Sequence, residues 1–316
     1  RGRTCDEHRA DLPCRLHPVP HMLVATLVSA HGQALVGEAL LARLARTVPG
    51  ITGTTVLDGA IAADLFAEAA DARKLEAGIR AELEGAAIDV IVQPAATRRK
   101  ALFLADMDST MIGQECIDEL AAFVGLKEHV AAITERAMRG EIDFEPALRE
   151  RVALLKGVPL SVVGEIIRDR ITLTPGGREL VQTIRANGGY TALVSGGFTV
   201  FTGPIGQTIG FDEHRSNTLI ASDGILNGTV ADPILGKQAK LDALVELRAR
   251  FKLAPAQTMA VGDGANDLAM LGEAGLGAAF RAKPAVAAAA DARLDHADLT
   301  ALLYAQGYTG GEIVRG

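Results

Sequence analysis

No apolar run in this 316-residue chain reaches the ~18 to 20 residues that a helix needs to cross a bilayer. Basic excess is missing too. With 32 Lys and Arg against 39 Asp and Glu the formal charge is −7, which argues against nucleic acid as the main partner. A local basic pocket for a small anion remains open. Cysteine is scarce: Cys5, Cys14 and Cys116 have no metal-ligand spacing and cannot all pair within one chain. Reduced thiols in a cytoplasmic protein are the simplest account. The seven histidines form no recognisable ligand pair. Residues 1–21 lack the apolar stretch of a secretory signal and read as a loose extension before Met22. What the chain does have is apolar content, 48%, enough to exclude disorder over most of its length, and a length that suggests two domains.

From Met22 the pattern alternates. Strands are expected over 23–28, 51–57 and 88–92, with a short extra one after 57, and helices over 34–46 and 70–83. The order βαββαβ in about 75 residues is that of a ferredoxin-like α+β module, here 22–94. Residues 95–100 then serve as a linker. Beyond 108 comes a helical stretch of roughly 65 residues, with helices near 114–124, 128–138, 143–155 and 159–169. A helix through 186, strands at 190–194 and 258–261, and a hairpin turning at Asp223-Gly224 complete the pattern. The expected fold is α/β: a doubly wound parallel sheet (95–112 and 175–316) with a helical cap insertion (113–174) behind the N-terminal module.

The chemistry concentrates at strand ends. Leu102-Phe103-Leu104-Ala105 runs into Asp106-Met107-Asp108-Ser109-Thr110, two carboxylates one residue apart where open α/β sheets build their sites. Carboxylates held that close cannot easily ionise together, so one can act as nucleophile beside a protonated general acid. A second cluster, Gly262-Asp263-Gly264-Ala265-Asn266-Asp267, also follows a strand, and its glycines admit a ligand close to the backbone. Asp106, Asp108 and Asp263, with a backbone carbonyl, would make an oxygen-rich shell for Mg²⁺, with Asp267 behind them. Ser195-Gly196-Gly197 ends a third strand and could hold phosphate oxygens. Lys240, or failing it Lys237, could neutralise a dianion.

In order and strand context these stretches resemble the four motifs of the haloacid dehalogenase superfamily of phosphotransferases. Asp106 to Thr110 match the first, Ser195 the second, Lys240 the third, and Gly262 to Asp267 the fourth. Over about 200 residues, from 102 to about 303, the chain resembles one branch, the phosphoserine phosphatases. The resemblance implies that Glu115 binds the substrate ammonium and Arg151 its carboxylate, while Met138 and Phe144 close over the site. It also implies a Mg²⁺-dependent hydrolysis of O-phospho-L-serine through an aspartyl-phosphate, the last step of serine biosynthesis. Asp106 would be the nucleophile, Asp108 the acid and base, and Ser195, Gly196, Gly197, Lys240 and Asn266 would hold substrate. The N-terminal module resembles an ACT-type regulatory domain, with an amino-acid effector and homodimer formation expected of it.

Each residue has a plainer explanation. Asp106 and Asp108 could cap a helix, Asp263 and Asp267 could shape a turn, and Ser195 could cap the helix that follows. Asn266 could hold its loop. Lys240, Glu115 and Arg151 could be solvated charges, and Met138 and Phe144 plain lid core. Rival functions are a phosphatase for another small phosphate, such as phosphohomoserine or phosphothreonine, and a non-catalytic amino-acid sensor. A dehalogenase has no need of Asp108 or of a metal.

Overall fold

A computed structural model describes residues 21–69, 71–138 and 141–315. The extension expected over 1–21 lies outside the described residues except for His21, which opens the first strand, and the Met138 side chain lies outside them as well. The N-terminal module runs β1 (His21–Ser29), α1 (Glu38–Thr47), β2 (Ile51–Asp58), β3 (Ala62–Ala69), α2 (Ala72–Leu83) and β4 (Ile88–Pro94). Its antiparallel sheet has the order β2-β3-β1-β4. Side chains on a strand alternate between faces, and here both faces are used. Leu23, Ala25, Leu27, Ala63, Leu65, Val90 and Val92 pack under Leu41, Leu44, Leu75 and Ile79 of the two helices. Val28, Ala62 and Ile91 face the other way and join the core of the larger domain.

Helix α1 begins four residues later than its leucine pattern predicts. Val36 N–H bonds to Ala60 O and Leu35 N–H to Ser29 Oγ, so this stretch is held against neighbouring backbone instead of coiling. The helix starts once extended Gly37 has turned the chain.

The larger domain opens with β5 (Leu102–Ala105). Four helices follow, α3 (Cys116–Phe123), α4 (Lys127–Met138), α5 (Phe144–Ala153) and α6 (Ser161–Asp169), before α7 (Gly177–Ala186) returns to the sheet. Then come β6 (Tyr190–Phe198), α8 (Thr199–Ile209), β7 (Glu213–Asn217), the hairpin β8 (Leu219–Ser222) and β9 (Ile225–Val230), and α9 (Lys237–Arg250). The chain finishes with β10 (Thr258–Gly262), α10 (Leu268–Glu273), β11 (Gly277–Phe280), α11 (Pro284–Ala289), β12 (Ala292–Leu294) and α12 (Ala301–Ala305). The six-stranded sheet has the order β12-β11-β10-β5-β6-β7, every neighbouring pair parallel. Strands β5, β10 and β11 are buried along their whole length, as expected of a sheet covered on both faces. Strands β7, β11 and β12 were not foreseen. The first is polar, and the other two are only four and three residues long, Gly-Ala-Ala-Phe and Ala-Arg-Leu, so none carries a clear apolar signal.

Two segments tie the helical insertion to the sheet. Its entry and exit pair with each other, Gly113 N–H to Thr172 O and Thr174 N–H to Met111 O, both at 3.0 Å. On the far side the β8–β9 hairpin bonds to the turn between α5 and α6, through Leu160 N–H to Gly224 O and Leu226 N–H to Val158 O at 2.8 Å each.

The N-terminal sheet docks on the larger domain through buried polar contacts. The Asp89 carboxylate, fully buried, accepts the backbone N–H groups of Asp295, His296 and Ala297 at 3.0, 3.1 and 2.8 Å. Arg98 Nη1 meets buried Asp64 at 2.6 Å, and Tyr304 Oη donates to Asp58 at 2.6 Å. Replacing Asp89 by Ala leaves three backbone donors without their acceptor. Stability to urea should fall by about 2–4 kcal/mol, because unsatisfied buried donors keep their desolvation penalty. A change below about 0.5 kcal/mol, the size of an ordinary surface substitution, would show that these contacts do not hold the joint.

Candidate active site

Three adjacent strands deliver the reactive groups to one edge of the sheet. Strand β5 lies between β10 and β6, so the residues after β5 and β10 and the end of β6 converge at their carboxyl ends. Asp106 N–H donates to Val261 O at 3.0 Å, which extends the β5–β10 pairing by one residue and sets where the Asp106 side chain starts.

At the centre is Lys240, from the first turn of α9. Its Nζ lies 2.6 Å from Asp106 Oδ1 and 2.6 Å from Asp267 Oδ1. All three side chains are almost fully buried. Burial opposes the charge on Lys240, but the two carboxylates outweigh it and hold the ammonium protonated, with its pKa above the usual value. Lys237 is exposed. Burial raises the Asp106 carboxyl; Lys240 pulls it down and Asp267 pushes it up again, leaving it above the usual range. The other Asp267 oxygen accepts Gly264 N–H at 3.0 Å. Gly262 is needed here because a Cβ at that position would sit 2.4 Å from Asp267 Cγ.

After Asp106 the chain kinks through extended Asp108 and left-handed Ser109 (φ 56°). The kink turns Asp108 away from the lysine. Its Oδ1 accepts Cys116 N–H at 3.0 Å, and its Oδ2 accepts Ser195 Oγ–H at 3.3 Å. Burial, reinforced by the charge of Glu115, pushes its pKa up to about 6. Asp263 is likewise pushed up to about 6, by burial and then by Asp267 and Glu115, although Thr110 Oγ1 donates to it at 3.3 Å. One carboxylate oxygen from each of Asp106, Asp263 and Asp267 lies within 4.8 Å of the other two. Asp108 is outside that cluster. Of the residues expected around a cation, the structure therefore groups Asp106 and Asp263 with Asp267 and points Asp108 toward the serine.

Ser195 Oγ accepts Gly197 N–H at 2.8 Å, and a Cβ on Gly197 would crowd both Ser195 Oγ and Asp108 Oδ2 at 3.0 Å. From the helical insertion, the half-exposed Phe144 ring covers Gly196 and Gly236. Glu115 accepts Ser109 Oγ–H at 2.7 Å. Arg151 donates to Ala147 O and Thr134 Oγ1, and burial lowers its pKa against the opposing charges of Asp118 and Glu115. Its neighbour Arg149 lies on the outer face, bound to Glu145 and Asp232. Asn266 is exposed and folds its amide oxygen over Gly264.

The model of haloacid dehalogenase-like hydrolases matches residues 103–272, more than half of the chain. The chain belongs to that family. It is 44% identical over 228 residues to phosphoserine phosphatase SerB2 of Mycobacterium tuberculosis, an overlap of 72% of this chain and 56% of the relative. It thus spans just over half of that relative's length. A probable phosphoserine phosphatase from Vibrio cholerae superposes with a TM-score of 0.71 at 32% identity, covering 92% of this chain and 89% of the other. A phospho-aspartyl intermediate analogue of phosphoserine phosphatase superposes with a TM-score of 0.60 at 40% identity, covering 65% and 98%.

In this hydrolase the donor set suits a hard cation. Asp106 and Asp263 supply oxygen ligands only, and of the three clustered carboxylates two, Asp106 and Asp267, share the single ammonium of Lys240. Two contributors to the site carry no motif signal in the sequence: the Cys116 backbone, which orients Asp108, and Asn217, which bonds to the loop after Ser195. Thr110, which donates to Asp263, lies inside the first acidic motif, but no role of its own was foreseen for it. Lys240→Met in the hydrolase removes one partner from a buried charge cluster. Unfolding in urea should then cost about 3–5 kcal/mol less than in the parent. An unchanged midpoint would mean that the carboxylates are not held by the lysine.

Proposed function

We propose that this hydrolase is a phosphoserine phosphatase that converts O-phospho-L-serine to L-serine and phosphate. The observation that carries this reading is a pair of opposite charges on the cap side: Glu115, whose charge raises Asp108, and the largely buried Arg151, whose guanidinium feels the charges of Asp118 and Glu115. A carboxylate suits the substrate ammonium, and a guanidinium grips a carboxylate through parallel hydrogen bonds. A phosphate ester without an amino-acid end has nothing for either group.

Asp106 attacks phosphorus as the P–O bond to serine breaks, giving an aspartyl-phosphate. Asp108 is fitted to the proton work. With its pKa near 6, it can protonate the departing serine oxygen and then take the proton of the water that attacks the phosphoenzyme. Ser195 Oγ, the N–H groups of Gly196 and Gly197, and the Lys240 ammonium hold the phosphoryl oxygens as charge redistributes. Phe144 would close over the serine end together with Met138, the role that the family resemblance gives both, and Asn266 would face that end from the loop after β10. Asp106 and Asp263 would hold Mg²⁺, with Asp267 steadying them through Lys240. Such a cation supplies charge neutralisation for the transferring group. Asp108 serves the proton transfers, and its turn away from the carboxylate cluster favours that role over ligation.

Three measurements test this. Asp106→Asn should reduce phosphate release from phosphoserine to background, and EDTA should do the same until Mg²⁺ is restored. Arg151→Ala should raise KM for phosphoserine about 10- to 100-fold, the loss expected for a charge-assisted bidentate contact, with little change for p-nitrophenyl phosphate. Equal loss on both substrates would point to another phosphate ester.

The N-terminal module fits a regulatory role. A cleft of about 760 Å³ lies between it and the larger domain, lined by His31, Arg178, Glu179 and Asp298 and by Thr174 and Gly176. The last two follow the exit of the helical insertion, so an amino-acid effector there would bear on cap movement. β2 is an edge strand of its sheet, the side through which a homodimer would form. An effector at the cleft changes velocity without competing with substrate, and Arg178→Ala should abolish that change.

A further inference from the structure

The structure assigns Asn217 as a positioning residue for the phosphate-holding loop, setting its distance from the start of the lysine helix; the assignment rests on the phosphoryl site proposed above. Asn217 ends the edge strand β7 and is 2% exposed. Its carboxamide makes three hydrogen bonds, all to backbone. Nδ2 donates to Gly196 O at 2.8 Å and to Leu235 O at 3.1 Å, while Oδ1 accepts Leu235 N–H at 2.7 Å. A flipped amide would set its oxygen against two carbonyls, so the network settles the orientation.

Each bond acts on a different wall of the site. Gly196 O and Gly197 N–H belong to one planar trans peptide and point in opposite directions. Holding that carbonyl therefore fixes the aim of the Gly197 N–H, which now points at Ser195 Oγ from 2.8 Å. The two bonds to Leu235 fix the backbone just before Gly236. Gly236 precedes the helix that carries Lys240 and forms part of the seat of the Phe144 ring. One buried amide thus sets the spacing between the serine–glycine loop and the lysine helix, which must grip the same phosphoryl group from two sides. No other side chain among the described residues makes hydrogen bonds to both segments.

The test compares Asn217→Ala and the isosteric Asn217→Asp with Thr218→Ala, a neighbouring exposed position, on phosphoserine and on p-nitrophenyl phosphate. Asp keeps the acceptor but loses both donors and faces two carbonyl oxygens. Both Asn217 variants should lose about 10- to 100-fold in kcat on each substrate, the usual effect of removing a group that orients a reacting one, with far smaller changes in KM. Orthovanadate inhibition should weaken in parallel, and Thr218→Ala should match the parent. Loss of folded enzyme alone would lower kcat but leave the vanadate inhibition constant unchanged. The assignment is overturned if Asn217→Asp retains kcat within about two-fold, if vanadate inhibition is unaltered in the variants, or if neither variant folds. Turnover of p-nitrophenyl phosphate but not phosphoserine by the parent would instead sink the substrate reading and leave the Asn217 result standing.

Discussion

Lys240 held between Asp106 and Asp267 is the constraint on which the rest of the site depends. An ammonium this deep in the protein persists only because both carboxylates face it at 2.6 Å, and the carboxylates tolerate burial only because it is there. The same charges serve stability and chemistry. The ammonium favours the ionised form of the Asp106 carboxylate against the burial and the Asp267 charge that raise it, and as a fixed cation it does so without reorganisation during reaction. Asp267 completes the balance. It binds the lysine with one oxygen and its own loop with the other, so the loop carrying Asp263 and the helix carrying Lys240 are aligned through one side chain.

Asp106 and Asp108 sit two positions apart in the chain yet face different partners. The kink at Ser109 separates them: Asp106 turns to the ammonium, and Asp108 to Ser195 and the Cys116 backbone. Two like side chains thereby occupy unlike electrostatic surroundings, the arrangement that divides nucleophile from acid in many hydrolytic sites. Glu115 adds to the division by raising Asp108 from the cap side, so under the proposed roles the proton transfers and the recognition of an amino-acid end would be electrostatically linked.

Much of this was legible in the chain before any coordinates. Asp106 and Asp263 follow apolar runs that could only be buried parallel strands, and those strands proved to be neighbours. The ferredoxin-like order was readable from short apolar runs set between amphipathic helices, since its sheet is covered on both faces and β1 and β4 are buried along nearly their whole length. Legibility failed where structure is held by backbone partners instead of apolar patterning. The start of α1 moved because Ser29 and Ala60 hold the preceding segment. Strand β7 was missed because Glu213-His214-Arg215-Ser216-Asn217 is polar and lies at an edge, and Asn217 was missed with it. The choice of Arg151 over Arg149 needed the family resemblance, because spacing on a helix does not say which of two nearby arginines looks inward. The fold makes that visible: Arg149 is spent on Glu145 and Asp232 at the outer surface.

The Asp89 joint has an evolutionary corollary. Its carboxylate grips peptide N–H groups at positions 295–297, which every amino acid but proline provides. The larger domain can therefore change side chains throughout that turn without loosening its neighbour, while the strand must keep a single acid. Such a junction would leave no correlated pair of substitutions behind it, and a search for co-varying positions would judge the two modules independent when they are firmly joined.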